Sequence, residues 1–199
     1  AAINPRLVML RVSAYGQTGP MRDMPGFARI AHAFSGLAYL AGEPGRPPVV
    51  PGSTSLADYM SGLFGAVGVL IALRHVDTTG EGQVIDIGLY ESIFRVLDEL
   101  APAYARSGFQ RERMGPDTAN IVPHSHYQTR DGSWVALACS NDRMWQRLTT
   151  AMGRPELAQD PRYSRLQARN NHRAEVNSMV ADWTKGLDIA DVLKACKDA

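Results

Sequence analysis

A single carboxylate stands where a long apolar helix begins. In the stretch from Ser53 to Ser92, STSLADYMSGLFGAVGVLIALRHVDTTGEGQVIDIGLYES, Asp58 opens a segment that is otherwise apolar and small. Behind Pro51-Gly52, the cluster Ser53, Thr54 and Ser55 supplies side-chain oxygens able to cap the free N–H groups of a first helical turn. At that end of a helix the dipole favours an anion by roughly 0.3–1 kcal/mol, which helps a carboxylate stay ionised in a site that later excludes water. An ionised carboxylate is a nucleophile capable of covalent catalysis. Ser61, Gly62 and Gly65 follow at the spacings that share a helix face, so that face carries little side chain beside Asp58. On spacing alone two readings stand: a nucleophile with room for a substrate, or a helix-start charge on a helix whose glycines permit close packing.

Other reactive groups are sparse. Pro123-His124-Ser125-His126 sets two histidines two residues apart without a cysteine or a carboxylate trio, so it reads as loop polarity, and no metal is expected. Cys139 and Cys196 are too few for a disulfide framework or a closed metal site and suit a reducing compartment. His75 and His172 read as helix-terminal and surface residues, and Asp131-Gly132 as a turn. With a net charge of +1, the chain has no strong field for nucleic acid or an anionic membrane. The longest apolar run, Leu63 to Leu73, is broken by glycines and too short to span a bilayer.

The pattern GFARIAHAFSGLAYLAGEPGRPPVVPGSTSLADYMSGLFGAVGVLIALRHVDTTGEGQVIDIGLYE resembles the class III CoA-transferase family, also called the carnitine-dehydratase and bile-acid-inducible family. NPRLVMLRVSAYGQTGP is similar to the family's strand and turn, SGLAYLAGEPGRPPVVPG to its approach to the catalytic helix, and TGEGQVIDIGLYES to the turn and strand that follow. YQTRDGSWVALACSNDRMWQRL and GRPELAQDPRYSRLQARNNHR resemble its small domain, so the similarity covers nearly the whole chain.

The resemblance implies that Asp58 is the catalytic nucleophile of a CoA-transferase. The carboxylate attacks a thioester carbonyl, giving a mixed aspartyl anhydride and CoA thiolate. The thiolate then attacks the aspartyl carbonyl, which releases the donor acid and leaves an enzyme-bound CoA thioester. An acceptor carboxylate repeats the exchange in reverse order. No cofactor is held permanently; coenzyme A arrives as the acyl-CoA substrate. Gly16 and Gln17, in a turn whose N–H groups can approach a ligand, are expected to contact coenzyme A together with Phe27 and His32. His32 stands where the family often has a polar amide, and a satisfied core histidine is the competing account. Arg29 or Arg46 could pair with the second carboxylate of a dicarboxylate donor such as succinyl-CoA.

A racemase branch of the superfamily needs an acid and a base on opposite faces of an α-carbon. Its histidine corresponds to Phe27 here, an apolar ring that cannot shuttle protons, while Ala28 departs from the acidic residue common in transferases. A non-catalytic CoA-binding module is the remaining alternative. Met114 to His126 resembles a mobile loop that shields the acyl intermediate, although Gly115 is its only glycine. The resemblance further implies an interlocked homodimer in the cytoplasm. Family members are roughly twice this length, so the chain reads as an internal fragment, inactive alone, that exposes apolar surface.

The elements that must position Asp58 follow from periodicity and breakers. Leu7 to Ser13 reads as a strand ending at the turn Tyr15-Gly16-Gln17-Thr18-Gly19-Pro20. Phe27 to Leu40 reads as a helix, Leu56 to His75 as a second, Asp77 to Gly82 as a turn, Val84 to Ile87 as a strand and Leu89 to Tyr104 as a helix. A strand, a helical crossover and a strand imply a parallel sheet covered by helices. Ser107 to Val122, rich in charge, Gly and Pro, reads as linker. Beyond it, a hairpin of Tyr127–Thr129 and Trp134–Cys139 around Asp131-Gly132 precedes helices at Asp142–Met152 and Asn171–Thr184. The expected fold is α/β: part of a Rossmann-like large domain over residues 1–105, a linker and loop over 106–122, and a small α/β domain over 123–199.

Overall fold

The computed structural model describes residues 3–199. They form two compact units, one ending at Arg113 and the other running from Met114 to Ala199. Each has its own buried cluster.

In the first unit, strand β1 (Met9–Ser13) pairs in parallel with β2 (Val84–Gly88), Met9 opposite Val84 and Ser13 opposite Gly88. A parallel pair needs a long crossover. Helices α1 (Ala28–Phe34), α2 (Leu37–Leu40) and α3 (Leu56–Thr79) supply it, and α4 (Leu89–Arg95) and α5 (Leu100–Ser107) follow β2. Ala28, Ala31, Ala57, Leu89 and Ile93 form the buried cluster, so α1, the start of α3 and the start of α4 meet at one point. The small residues of α3 are what let it lie close. Ala57, Ser61, Gly65, Ala72 and Val76 are its buried positions, and a Cβ on Gly65 would stand 2.7 Å from Leu10 Cδ2. Its larger residues face outward: Leu63, Leu70 and Ile71 are each more than 60% exposed.

Three helices of the first unit differ from the sequence expectation, each for a local reason. The helix expected over Phe27–Leu40 is two pieces, because the chain reverses at Gly36 with φ +93°, a conformation glycine adopts without steric cost. Helix α3 continues through Asp77 to Thr79, since its first breaker is Gly80, left-handed at φ +77°. At 24 residues α3 is long and apolar enough to cross a membrane by length and composition, unlike the shorter run Leu63–Leu73; in this fold it packs along β1, β2 and α4. The helix expected over Leu89–Tyr104 breaks between Arg95 and Leu100. Pro102 has no N–H to donate and is tolerated only in a first turn, so the helix must restart shortly before it.

Gly82 leads into β2 and illustrates how tightly the strand entry is built. Its N–H donates to Pro5 O at 2.7 Å, and a Cβ there would lie 2.0 Å from the backbone oxygen of Leu7. Backbone cannot step aside as a side-chain tip can. Gly82→Ala is therefore expected to destabilise the first unit by about 1–3 kcal/mol, the range for overpacking a closed site, read as a fall in denaturant midpoint. An unchanged midpoint would show that the segment before β1 yields freely.

In the second unit, β3 (His124–Gln128) and β4 (Trp134–Ala138) form an antiparallel hairpin. Asp131 Oδ1 accepts from the Thr129 hydroxyl at 2.6 Å and from Ser133 N–H at 3.2 Å, and Gly132 takes φ +80°. The strand begins at His124, so the Pro123–His126 segment read as loop is largely strand. His124 is half-buried and His126 exposed on the same, outer face of β3, and among the described residues no group of His, Cys, Asp and Glu is placed to hold a metal ion. Helices α6 (Asp142–Ala151), α7 (Leu166–Asn171), α8 (Arg173–Lys185) and α9 (Ile189–Asp198) cover the hairpin; α7 and α9 had no counterpart in the sequence reading. Trp145 of α6, Val176 and Val180 of α8 and Val192 of α9 are fully buried apolar side chains that join these three helices.

Candidate active site

Asp58 lies in the first turn of α3, with its N–H donating to Ser55 O at 3.0 Å and its side chain exposed. Ser55 is the residue before the helix, yet its hydroxyl makes no capping bond. Its backbone, at φ −82° and ψ 56°, is outside the extended geometry from which an N-cap side chain reaches back to the turn. The cap comes from elsewhere: His32 Nε2 accepts from Ala57 N–H at 3.1 Å. His32 sits on α1 and is 1% exposed. Burial, the dominant influence, pushes its imidazole below the ordinary histidine value; the nearby Asp58 charge pulls upward and Arg29 downward. A ring accepting at Nε2 is neutral and carries its proton on Nδ1.

Of the small residues beyond Asp58, only Gly62 leaves open space, with nothing within 4 Å of a would-be Cβ. Ser61 is fully buried and its hydroxyl bonds to Ser92 Oγ at 3.0 Å, and Gly65 faces Leu10. The expectation that all three clear a substrate face is corrected accordingly: two of them serve close packing against α4 and β1. The room near the helix start is instead a cavity of about 110 Å³ lined by Ala28, Arg29, His32, Val50 and Ser53–Ser55.

Gly16 and Gln17 stand at the carboxyl end of β1. Gly16 is left-handed at φ +83°, and the Gln17 N–H offered to a ligand by the sequence reading instead donates to Asp86 Oδ2 at 2.7 Å. The Gln17 amide reaches back to Ser13 and Arg11, each at 3.4 Å. These bonds hold the turn to the sheet, and none runs to α1 or α3. Phe27 is the residue preceding α1 and is 83% exposed, an apolar ring without hydrogen-bonding capacity. Thus the structure brings His32 to Asp58's helix, while Gly16 and Gln17 belong to the strand-end turn.

Two features escaped the sequence reading. Tyr15, Phe34 and Tyr90 form an edge-to-face group, with Phe34 at 5.0 Å from Tyr15 and 4.9 Å from Tyr90 between ring centres. They come from three separate elements, so no local pattern could reveal them. Arg113, in the segment read as linker, donates from Nε to Tyr39 O at 2.6 Å, bonds Arg46 O through Nη1 and lies over the Tyr39 ring; Glu112 accepts from the Tyr39 hydroxyl. Together they pin the Gly42–Val50 approach to α3. In the second unit, burial pushes the Cys139 thiol up to about 12, which leaves it protonated and unreactive.

Comparison with known proteins places these observations in one group. The profile described as CoA-transferase family III matches residues 1–199. The beta subunit of succinyl-CoA–L-malate CoA-transferase from Chloroflexus aurantiacus is 57% identical over 98% of this chain and 48% of its own length. Succinyl-CoA–D-citramalate CoA-transferase from the same organism is 43% identical over 99% of this chain and 48% of its own. Among solved structures, a CAIB/BAIF family protein from Brucella suis matches with a TM-score of 0.78 at 33% identity, covering 99% of this chain and 52% of that one. Rv3272 from Mycobacterium tuberculosis shares the fold, with a TM-score of 0.82 at 23% identity over 99% of this chain and 51% of that one. The chain spans about half the length of the curated relatives it matches.

Proposed function

The chain belongs to CoA-transferase family III, and we propose that it carries the nucleophile of an enzyme moving coenzyme A from an acyl-CoA donor to a carboxylic acid. What supports this reading is Asp58: an exposed carboxylate in the first turn of a 24-residue helix whose N-terminal approach, Ser53–Ser55, lines a cavity, its side chain with no hydrogen bond or ion pair among the described residues. Exposed and without a protein partner, its oxygens are open to an incoming thioester.

The Asp58 carboxylate attacks the donor thioester carbonyl and expels CoA thiolate, forming the mixed anhydride. Thiolate attack on the aspartyl carbonyl then releases the donor acid and leaves the aspartyl-CoA thioester. The acceptor carboxylate attacks that thioester, regenerates an anhydride, and the returning thiolate completes the new acyl-CoA. Every bond broken has a counterpart of the same kind formed, so no oxidant, reductant or metal enters the balance. The names of the Chloroflexus relatives bring a succinyl-CoA donor and a hydroxy-dicarboxylate acceptor to this chain. Arg29, lining the cavity beside the helix start, is the cation suited to the distal carboxylate. Arg46 is the less suited of the pair, because its loop is held by Arg113 through the backbone. The full-length protein is read as a cytoplasmic interlocked dimer whose coenzyme A contacts include Gly16, Gln17 and Phe27.

The test incubates the full-length protein with a panel of acyl-CoA donors and acids, follows exchange by mass spectrometry, and adds hydroxylamine to trap the activated acyl group. Dicarboxylate pairs are expected to exchange, and the hydroxamate is expected on the peptide containing Asp58. Exchange with trapping at another side chain would remove Asp58 from its role, and no exchange with any pair would remove the function.

A further inference from the structure

We propose that His32 is a positioning residue for Asp58: by accepting Ala57 N–H in place of a serine or threonine cap, it fixes the backbone of the turn from which the nucleophile projects. The catalytic half of this inference rests on Asp58 being that nucleophile; the capping half does not. The first N–H groups of a helix have no partner within it. In α3, Asp58 and Tyr59 donate to Ser55 O at 3.0 and 3.3 Å, which leaves the N–H of Ala57 to be satisfied from outside. Ala57 is 0% exposed, so its partner must come from the protein. None of Ser53, Thr54 or Ser55 provides it, and His32, itself 1% exposed and anchored in α1, does.

The choice of histidine makes the cap conditional. An imidazolium has no lone pair to accept with, and it would set a positive charge against the positive end of the helix. The groups bearing on the ring are Asp58 from α3, which favours protonation, and Arg29 from α1, which opposes it. Helix α4 turns only Leu89, Ser92 and Ile93 inward, none of them charged. Burial outweighs Asp58, so the folded ring titrates below the ordinary value of 6.5. The sign follows from linkage: the unfolded chain binds the proton more readily, so the contribution of His32 is complete above pH 6.5 and is lost as pH falls through the lower folded value. Acid thus releases the turn that holds Asp58.

Two variants of the full-length protein separate this from simple core filling. Glutamine offers an amide oxygen that accepts without titrating, and alanine offers nothing. His32→Ala is expected to lower kcat by about 10- to 100-fold, the scale set by misplacing a reacting group by about 1 Å, with KM for acyl-CoA little changed. His32→Gln is expected to restore most of that loss and to shift the acid limb of the kcat profile to lower pH. Independently of activity, hydrogen exchange at the Ala57 amide is expected to be slow above pH 6.5, to lose protection on acidification, and to keep it in His32→Gln. Unchanged Ala57 protection in an alanine variant would overturn the cap. An acid limb shared by the wild type and His32→Gln would overturn the switch, and should alanine prevent folding, the glutamine profile and the wild-type exchange still decide it.

Discussion

Asp58→Asn is expected to lower coenzyme A transfer by about 10⁴-fold or more, the scale reached when a covalent nucleophile is removed, and to leave the fold standing. Asparagine keeps the size of the side chain and withdraws only the charged oxygen that attacks. Its structural cost is small because the carboxylate is exposed and supports no hydrogen bond or ion pair among the described residues; what is lost is the helix-dipole contribution of about 0.3–1 kcal/mol. Asp58→Glu makes the complementary test. The oxygen moves by one added bond, and a displacement near 1 Å costs about 10²-fold in rate, so glutamate should be slow where asparagine is dead. Circular dichroism and the denaturant midpoint would stay near the parental values in both. An Asp58→Asn protein that still transfers coenzyme A at near parental rate would remove the nucleophile from this chain and the mechanism with it.

Helix α3 was legible because its information is local. A capping cluster, an acid in the first turn and an apolar run all fall within a few residues of Asp58, and two β-inclined segments flanking a long crossover imply the parallel pairing of β1 with β2. The bonds that make the site specific are not local. The cap on α3 comes from His32, 25 positions earlier, and the N–H of Gln17 is taken by Asp86, 69 positions later. Serine and threonine before a helix are a statistical sign of capping, and Ser55 shows how the sign fails when the backbone arrives in the wrong geometry. The division of the helix beyond Leu89 belongs to another class: Pro102 announced it, and helical periodicity on either side concealed it. Arg113 was hidden by composition, since charge with Gly and Pro reads as linker until a guanidinium is found holding two carbonyls.

Arg169 carries the largest structural prediction. It was one arginine among many in the sequence, and in the fold it is 0% exposed. Its guanidinium donates to Val122 O at 3.1 Å, Tyr163 O at 2.9 Å and Asp142 Oδ1 at 3.0 Å, and lies 5.3 Å from the centre of the Trp145 ring. One side chain therefore joins α7 to the start of α6, to Val122 two residues before β3 and to the turn ahead of α7. Burial pushes the guanidinium below its ordinary value, with Asp142 pulling the other way. Arg169→Met fills most of the volume but leaves the acceptors without donors. Val122 and Tyr163 are 0% and 4% exposed, so water cannot replace the lost bonds, whereas Asp142, 30% exposed at its side chain, can be hydrated. The expected loss is about 3–5 kcal/mol, the range for removing one partner of a buried charged network, seen as early unfolding of the second unit by tryptophan fluorescence, since Trp134, Trp145 and Trp183 all lie in that unit. Arg169→Lys keeps the charge, but a single ammonium cannot span three acceptors set out for a planar fork; it should fall between methionine and the parent. A methionine variant within about 0.5 kcal/mol of the parent, the scatter of ordinary surface changes, would show that the network is replaceable packing and that the second unit is held by its apolar cluster alone.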